Sequence, residues 1–252
     1  MSEVLLSTQK LCKSFSQGGI QQHVLKNLDL KIEKGDFTVI MGASGAGKST
    51  LLYALSGMDR PTVGSVFFSG EEISTYSNDR LAIFRRKHCG FVFQQIHLMD
   101  SMNIRDNVLA AGLLVSKSKK MTRKKADELF EAVGLDMSVQ NKFSGQLSGG
   151  EAQRAGIVRA LINEPAIVFA DEPTGQLNSS ASAMVLDILT QINQKGQSII
   201  MVTHDLNSAR RGNRIVYLRD GVICGSCTLG KYIPGDEKRQ EKMTSFLHEM
   251  GW

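Results

Sequence analysis

Short apolar runs and longer segments with helical spacing alternate along the chain, and together they predict an α/β fold. Five runs are almost continuously apolar, which is typical of strands buried on both faces of a parallel sheet. These runs are residues 38–41, 89–93, 166–171, 198–203 and 214–218. We interpret them as the strands of one core sheet.

Helical periodicity dominates the region between the second and third of these runs. Apolar residues recur every three or four positions in residues 103–114 and 122–134, as expected for helices with one buried face. We therefore predict a helical subdomain, at about 95–162, inserted into the core. A further helix is predicted at 181–194, with Asn178 to Ser180 as its N-terminal cap.

The N-terminal region and the end of the fifth run predict antiparallel pairing. Residues 4–11, 24–32 and 64–70 have strand-like patterns and predict a small antiparallel sheet. Asp220 and Gly221 follow the fifth run and predict the turn of a hairpin.

The C-terminal tail carries a pattern of its own. We assign residues 1–229 to one domain and 230–252 to the tail. Met243, Phe246, Leu247 and Met250 are spaced i, i+3, i+4 and i+7, which predicts a short amphipathic helix. This helix docks on its own domain or on a partner.

A glycine-rich motif, GASGAGKST at 42–50, follows the first apolar run and opens a helical stretch. It fits the pattern GxxxxGKS in the context of strand, loop and helix that this motif requires. Glycines let the backbone close around phosphates, lysine supplies a point charge, and serine offers a hydroxyl ligand to Mg²⁺. The residues predicted to bind the nucleotide phosphates are Gly42, Ser44, Gly45, Ala46, Gly47, Lys48, Ser49 and Thr50.

Two acids end the third apolar run. Asp171 is the predicted partner of Mg²⁺, directly or through water, and Glu172 is the predicted base for an attacking water. The alternative is that both acids lie on the surface and cap the next helix. A second glycine pair, in LSGGEAQR at 147–154, precedes a helix predicted at 151–162, whose N-terminus presents N–H groups to an anion.

These motifs, together with ADEPTG at 170–175 and MVTHD at 201–205, make the chain resemble the ATP-binding subunits of ABC transporters. The resemblance runs from about Val4 to Gly225. Within this family the chain is most similar to the MacB, LolD and BceA type, because it contains the segments FVFQQ, ADEPTG and GMDRPTVGSV. It implies a P-loop NTPase (RecA-like) core with an antiparallel β subdomain and an inserted helical subdomain.

The resemblance also implies roles for individual residues. Phe15 stacks on adenine, with core packing as the alternative, and Gln94 senses Mg²⁺ and the water, with Gln95 as the neighbouring candidate. His204 reaches the γ-phosphate and holds Glu172 and the water in place. The residues that contact the γ-phosphate held by a second copy are Ser148, Gly149 and Gly150.

One position departs from the family pattern. The loop after Glu172 normally ends in aspartate, which in the family helps to join the two ATP sites, whereas this chain has Asn178. Asparagine removes any charge-assisted contact at this position. We therefore expect an active ATPase in which turnover or coupling between sites is altered.

Composition and charge are compatible with this interpretation and add little to it. The chain of 252 residues is 42% hydrophobic and 22% charged, with a net charge of +5, as in ordinary globular proteins. No stretch of the chain has the ~18 consecutive apolar residues that a membrane-spanning helix needs, and the N-terminus does not resemble a secretion signal.

Two short segments offer weaker signals. Cys224 and Cys227 form CGSC, but no second CxxC completes a metal site. The basic segment 117–125 indicates a solvated helix start, with attraction to lipid headgroups as the alternative.

Three functions fit these observations. The first is an ATP-hydrolysing subunit, with ATP and Mg²⁺, that powers export or extraction of peptide, lipid or lipoprotein. The second is the ATPase of a transmembrane signalling complex, for cell division or antimicrobial-peptide sensing. Both imply a dimer, a separately encoded membrane permease, a peripheral position on the cytoplasmic side of the membrane, and no nucleic acid. The third, a DNA-repair or translation ATPase, is disfavoured because the chain has one cassette and no long coiled-coil insertion.

Overall fold

The structure is a computed structural model in which residues 3–252 are described, and it divides into two compact units. The first unit comprises the chain up to Leu81 together with Ile192–Trp252. The second comprises Ala82–Gln191. Helices α2 (Asn78–His88) and α7 (Ser179–Gln194) contain the two points at which the chain passes between units.

An antiparallel sheet forms one part of the first unit. Its strands run in the order β2-β1-β5-β6, and β3 pairs with β1. They are β1 (Val4–Gln17), β2 (Ile20–Leu28), β3 (Lys31–Glu33), β5 (Val63–Phe68) and β6 (Glu71–Glu72). The small antiparallel sheet predicted from the sequence is therefore present.

Two details of that sheet differ from the prediction. β1 continues beyond residue 11 to Gln17, because its polar second half pairs with β2 across a Gly18–Gly19 turn in which both residues have positive φ. The run 24–32 is two strands, not one. The break falls after Leu28, and the Asp29 carboxylate accepts a hydrogen bond from the Lys10 N–H.

The first unit also holds four strands of the core sheet, in the order β11-β10-β4-β9. They are β4 (Phe37–Met41), β9 (Ser198–Thr203), β10 (Arg214–Arg219) and β11 (Val222–Thr228). β4 pairs in parallel with both β9 and β10, and β4 and β9 are buried along their whole length. The predicted turn between β10 and β11 is confirmed, since Asp220 and Gly221 both have positive φ as a type I′ turn requires.

A C-terminal helix, α9 (Glu237–Glu249), packs within the first unit. Met243 and Leu247 are 1% and 2% exposed, and the Arg219 guanidinium donates to the Met250 carbonyl at 3.1 Å. Gly225 of β11 leaves room for Phe246 and Met250, since a Cβ there would lie 3.0 Å from the Met250 sulfur. The tail helix thus docks on its own chain.

Truncation of the buried Met243 to alanine is expected to lower the free energy of unfolding by about 2–4 kcal/mol, because it leaves a cavity under α9. Met121→Ala is the matched control, because Met121 is 61% exposed. Urea unfolding monitored by circular dichroism measures both variants. Equal losses in the two would contradict a stabilising contribution of the docked helix.

The second unit combines two parallel strands with a group of helices. β7 (Cys89–Phe93) and β8 (Ile167–Asp171) pair in parallel, with Phe93 opposite Asp171. The helices are α3 (Ile104–Leu113), α4 (Lys119–Ala132), α5 (Met137–Gln140) and α6 (Gly149–Leu161). Their common core includes Val108, Phe130 and Val158.

Two further α-helices belong to the first unit. α1 (Lys48–Leu55) follows β4, and α8 (Leu206–Ala209) follows β9. None of the helices between residues 3 and 252 combines the length and hydrophobicity needed to cross a lipid bilayer.

Candidate nucleotide-binding and catalytic site

The glycine-rich motif forms a tight loop between β4 and α1 in the first unit. A Cβ at Gly42 would overlap the Leu218 carbonyl oxygen. Gly47, the N-cap of α1, has φ +98°, and a Cβ there would lie 3.0 Å from the Val24 carbonyl oxygen. These close approaches explain why both positions are glycine. They give the loop a backbone-lined surface that side chains would fill.

Lys48 lies inside this loop. Its side chain is buried, and its Nζ donates to the carbonyl oxygens of Gly42 and Ala43 at 2.8 Å and 2.9 Å. The ammonium group is therefore fixed against the backbone of this loop. No side chain caps the N-terminus of α1, and the positive end of a helix dipole favours an anion.

His204 lies at the same edge of the sheet. β4 and β9 are parallel, with Met41 opposite Thr203, so the loop and His204 both follow the carboxyl ends of adjacent strands, where open α/β sheets bind ligands. His204 is exposed. The next residue, Asp205, caps α8 by accepting hydrogen bonds from the Ser208 N–H and hydroxyl, both at 2.7 Å.

The two predicted acids and Gln94 form a second group, in the second unit. Asp171 ends β8 and is buried, and Glu172 follows it. Since Phe93 pairs with Asp171, Gln94 and Glu172 follow the same end of two neighbouring strands. The structure thus brings a carboxylate pair and an amide to one edge of this unit.

Glu172 has an unusual backbone conformation for a residue with a side chain. Its φ is +46°, which costs of order 1 kcal/mol or more for a non-glycine residue and is a feature of functional sites. Its carbonyl accepts a hydrogen bond from the Gly175 N–H at 3.0 Å. A Cβ at Gly175 would lie 2.9 Å from Gln94 Nε2, so glycine there leaves space for the Gln94 amide.

Two residues that sequence reasoning missed hold the segment around Gln94. Gln153 of α6 is 2% exposed and donates to the Phe93 carbonyl at 3.1 Å. Arg159, which lies further along the same helix, donates to the Ile96 and His97 carbonyls at 2.6 Å and 2.7 Å. Gln153 belongs to the LSGGEAQR motif, but the sequence does not show which backbone group it contacts.

The glycine pair lies in the first turn of α6, which begins at Gly149, two residues earlier than predicted. The earlier start follows from Ser148, the N-cap, whose Oγ accepts from the Glu151 N–H while Glu151 accepts from the Ser148 N–H at 2.7 Å. That backbone hydrogen bond, with help from Lys142, lowers the pKa of Glu151. The N–H groups of Gly149 and Gly150 have no acceptor within their own helix and are available to an anion.

The structure shows the surroundings of two further residues discussed from the sequence, Phe15 and Asn178. Phe15 is 46% exposed, so the alternative that it packs in the core is wrong, and Lys13 Nζ lies 4.9 Å from its ring centre. Asn178 caps α7 as predicted, since its Oδ1 accepts from the Ala181 N–H at 2.9 Å.

The residues fit ATP and Mg²⁺. The loop around Gly42 and Gly47 offers backbone space, and Lys48 offers charge, for the phosphates. Within residues 3–252 no group of three or more His, Cys, Asp or Glu side chains could hold a metal ion alone. Mg²⁺ is usually bound by one or two protein oxygens together with substrate phosphates and water, and the Ser49 hydroxyl and the Asp171 carboxylate are oxygen groups of that kind.

The fold and these loops define a P-loop nucleotide-binding cassette, and comparison with known proteins gives its family. A family model described as ABC transporter matches residues 25–175, more than half of the chain. The chain belongs to this family of ATPases.

Individual relatives match over nearly their whole length. The uncharacterized ABC transporter ATP-binding protein MJ1508 of Methanocaldococcus jannaschii is 45% identical, over 87% of this chain and 97% of its own. The bacitracin export ATP-binding protein BceA of Halalkalibacterium halodurans is 39% identical, over 98% and 96%. The lipoprotein-releasing system ATP-binding protein LolD of Idiomarina loihiensis is 38% identical, over 88% and 98%. The predicted likeness to the MacB, LolD and BceA type is confirmed, since a macrolide export ATP-binding/permease protein MacB of Bdellovibrio bacteriovorus is also 41% identical, over 94% of this chain and 37% of its own.

A solved structure supports the fold. The dimeric post-hydrolysis state of the ATP-binding cassette MJ0796, bound to ADP and Pi, superposes with a TM-score of 0.83 at 36% identity, over 89% of this chain and 98% of that one. The predicted P-loop NTPase fold is confirmed.

Proposed function

We propose that this chain hydrolyses ATP to power an ABC transporter that exports or extracts peptide, lipid or lipoprotein. The observation that carries the proposal is the loop around Lys48, whose buried ammonium and close-approaching glycines fit polyphosphate. Family membership and the relatives named for bacitracin export and lipoprotein release support the transport role. Phosphate release from ATP by the purified protein tests the proposal, and no release above background would contradict it.

In this proposal each side chain has one chemical role. Lys48 binds the β- and γ-phosphates, and Phe15 stacks on adenine. Ser49, Asp171 and Gln94 would hold Mg²⁺, which would neutralise charge on the phosphates. Glu172 accepts a proton from the attacking water, and His204 contacts the γ-phosphate and orients that water. In-line displacement then gives ADP and phosphate.

The glycine pair completes the site in a second copy of the chain. Ser148, Gly149 and Gly150 of one copy contact the γ-phosphate of the ATP that the other copy holds, so two ATP molecules join the dimer. The cassette MJ0796 is dimeric in its state bound to ADP and Pi, which supports this arrangement. Hydrolysis removes the shared γ-phosphate contacts, and the dimer reopens.

The membrane path lies in a separate permease, and the chain works at the cytoplasmic face of that permease. Dimer closure and reopening move the attached membrane helices. Affinity capture of detergent-solubilised membrane proteins by the native chain tests this assignment. A signalling partner that moves no cargo, in place of a permease, would contradict the transport role and leave the ATPase role intact.

Asn178→Asp is expected to raise ATP turnover or coupling between the two ATP sites several-fold, because it restores the acid found in the family at this position. Aspartate caps a helix as well as asparagine does, so the unfolding midpoint should stay unchanged. Turnover against ATP concentration, with its Hill coefficient, measures the effect. An unchanged curve would remove this position from the mechanism.

A further inference from the structure

The second unit carries a surface whose composition the ATPase mechanism does not use. It lies where α3 ends and α4 begins, and we call residues 113–125 the basic corner. This segment contains six Lys or Arg residues and no Asp or Glu. The cations are Lys117, Lys119, Lys120, Arg123, Lys124 and Lys125.

Most of these cations lack an acidic partner. Lys124 pairs with Glu128 at 3.8 Å and Lys125 with Glu164 at 2.5 Å. Across the described part of the chain, the other four make no ion pair, and their side chains are exposed. Lys119 and Lys120 also lie in the first turn of α4, which has no acidic residue. Positive charge is unfavourable at this end of a helix unless an external anion offsets it.

Apolar side chains are exposed among these cations. Leu114 and Met121 are each 61% exposed, and Leu113 and Val115 are each 41% exposed. Val115 and Met121 line one shallow cavity of about 410 Å³ together with Lys124, Lys125 and the two glutamates that pair with these lysines. Apolar and cationic groups therefore share one continuous surface.

The backbone of the basic corner is well fixed. Ser118 caps α4 by accepting from the Met121 N–H at 3.3 Å, and its carbonyl accepts from the Thr122 hydroxyl at 3.0 Å. A Cβ at Gly112 would lie 2.5 Å from Thr122 Cγ2, so α3 and α4 approach closely here. The exposed groups are thus held in place as one surface.

We propose that the basic corner binds the surface of an anionic lipid bilayer. Anionic headgroups would neutralise the four unpaired cations, which lie on both the turn and the helix. The exposed leucine and methionine side chains would enter the boundary between headgroups and acyl chains. A bilayer accepts this irregular mixture of charge and apolar area, since lysine stems bury their methylenes while the ammonium groups reach the headgroups.

Vesicle flotation of the purified native chain, without nucleotide, tests this proposal. Binding is expected to vesicles with about one-third phosphatidylglycerol and not to pure phosphatidylcholine. Raising the salt from about 0.1 M to about 1 M, which shortens the Debye length from about 10 Å to about 3 Å, should release most of the protein.

Two variants locate the binding surface. Replacing Lys117, Lys119, Lys120 and Arg123 together by glutamine should weaken vesicle binding by about fivefold per cation. Leu114→Ser with Met121→Ser should weaken it by at least about tenfold. Both variants should keep native ATP turnover, which shows that they fold. The matched control replaces four exposed lysines of the first unit (Lys31, Lys195, Lys231 and Lys238) by glutamine and should bind vesicles nearly as the native chain does.

Three outcomes would overturn the proposal. They are no binding of the native chain to anionic vesicles, equal loss in the control variant, and binding only to vesicles that contain a membrane protein. The last outcome would identify the basic corner as a protein contact. Because flotation is done without nucleotide, its failure is separate from a failure of ATP hydrolysis.

Discussion

Glu172→Gln is expected to lower ATP turnover by about a hundredfold to ten-thousandfold, because glutamine cannot accept the proton of the attacking water. ATP binding should be unchanged, since glutamine has the same size and suits the same backbone conformation. The bound ATP would then persist and hold two copies together. Size-exclusion chromatography with ATP should show a dimer of the variant, and phosphate release measures turnover.

A matched control exists for this substitution. Glu164 is also a glutamate with positive φ, at +50°, and it lies outside the proposed site. Glu164→Gln should therefore keep native turnover. A Glu172→Gln protein that still hydrolyses ATP at the native rate would show that another group is the base.

Lys48→Ala is expected to weaken ATP binding by about a hundredfold, because it removes a charge-assisted contact to the phosphates. Isothermal titration with ATP measures this loss. Lys48→Met keeps most of the buried side-chain volume and should lose affinity to the same extent, which separates charge from packing. Lys195→Ala, at an exposed lysine of the same unit, serves as the control and should bind ATP normally.

Loss of stability is the competing explanation for the lysine variants. Lys48 Nζ donates hydrogen bonds to two carbonyl oxygens of the loop, so removal of this side chain also disturbs the loop. Unchanged melting temperature together with lost ATP affinity assigns the effect to phosphate binding. Lys48→Ala that binds ATP as the native chain does would contradict the role of this loop.

The strongest patterns in the sequence predicted the fold correctly, and the weaker ones did not. β4 and β9 are buried at every position, so their apolar runs were unambiguous. Helix α2 was missed because its charged residues outnumber its apolar ones, and only Leu81 and Phe84 among the apolar residues are buried. The predicted first strand ended at residue 11, too early, because pairing with β2, rather than burial, stabilises the polar half of β1.

The candidate site was predictable where one motif determines local geometry. The glycines of the P-loop follow from their immediate neighbours, whereas the start of α6 was predicted two residues too late because the N-cap at Ser148 was missed. The contacts of Gln153 and Arg159 with the backbone at the end of β7 and just beyond it join residues about sixty positions apart, so no local pattern indicates them. The left-handed conformation of Glu172 is likewise invisible in sequence, because glutamate seldom adopts it.

The shared ATP site between two copies is the central claim, and a mixing experiment tests it most directly. Lys48→Ala removes the phosphate contact of one copy. Gly149→Asp places a carboxylate in the first turn of α6, where it suits the helix but repels phosphate. Each variant alone should be inactive, because both sites of its dimer are defective.

A co-purified mixture of the two variants forms mixed dimers, in which one site combines the intact loop of one copy with the intact glycine pair of the other. ATP turnover of the mixture should therefore recover to roughly a quarter of the native rate, since about half of randomly formed dimers are mixed and each has one intact site. A mixture no more active than its separate components would show that each copy binds and hydrolyses ATP alone.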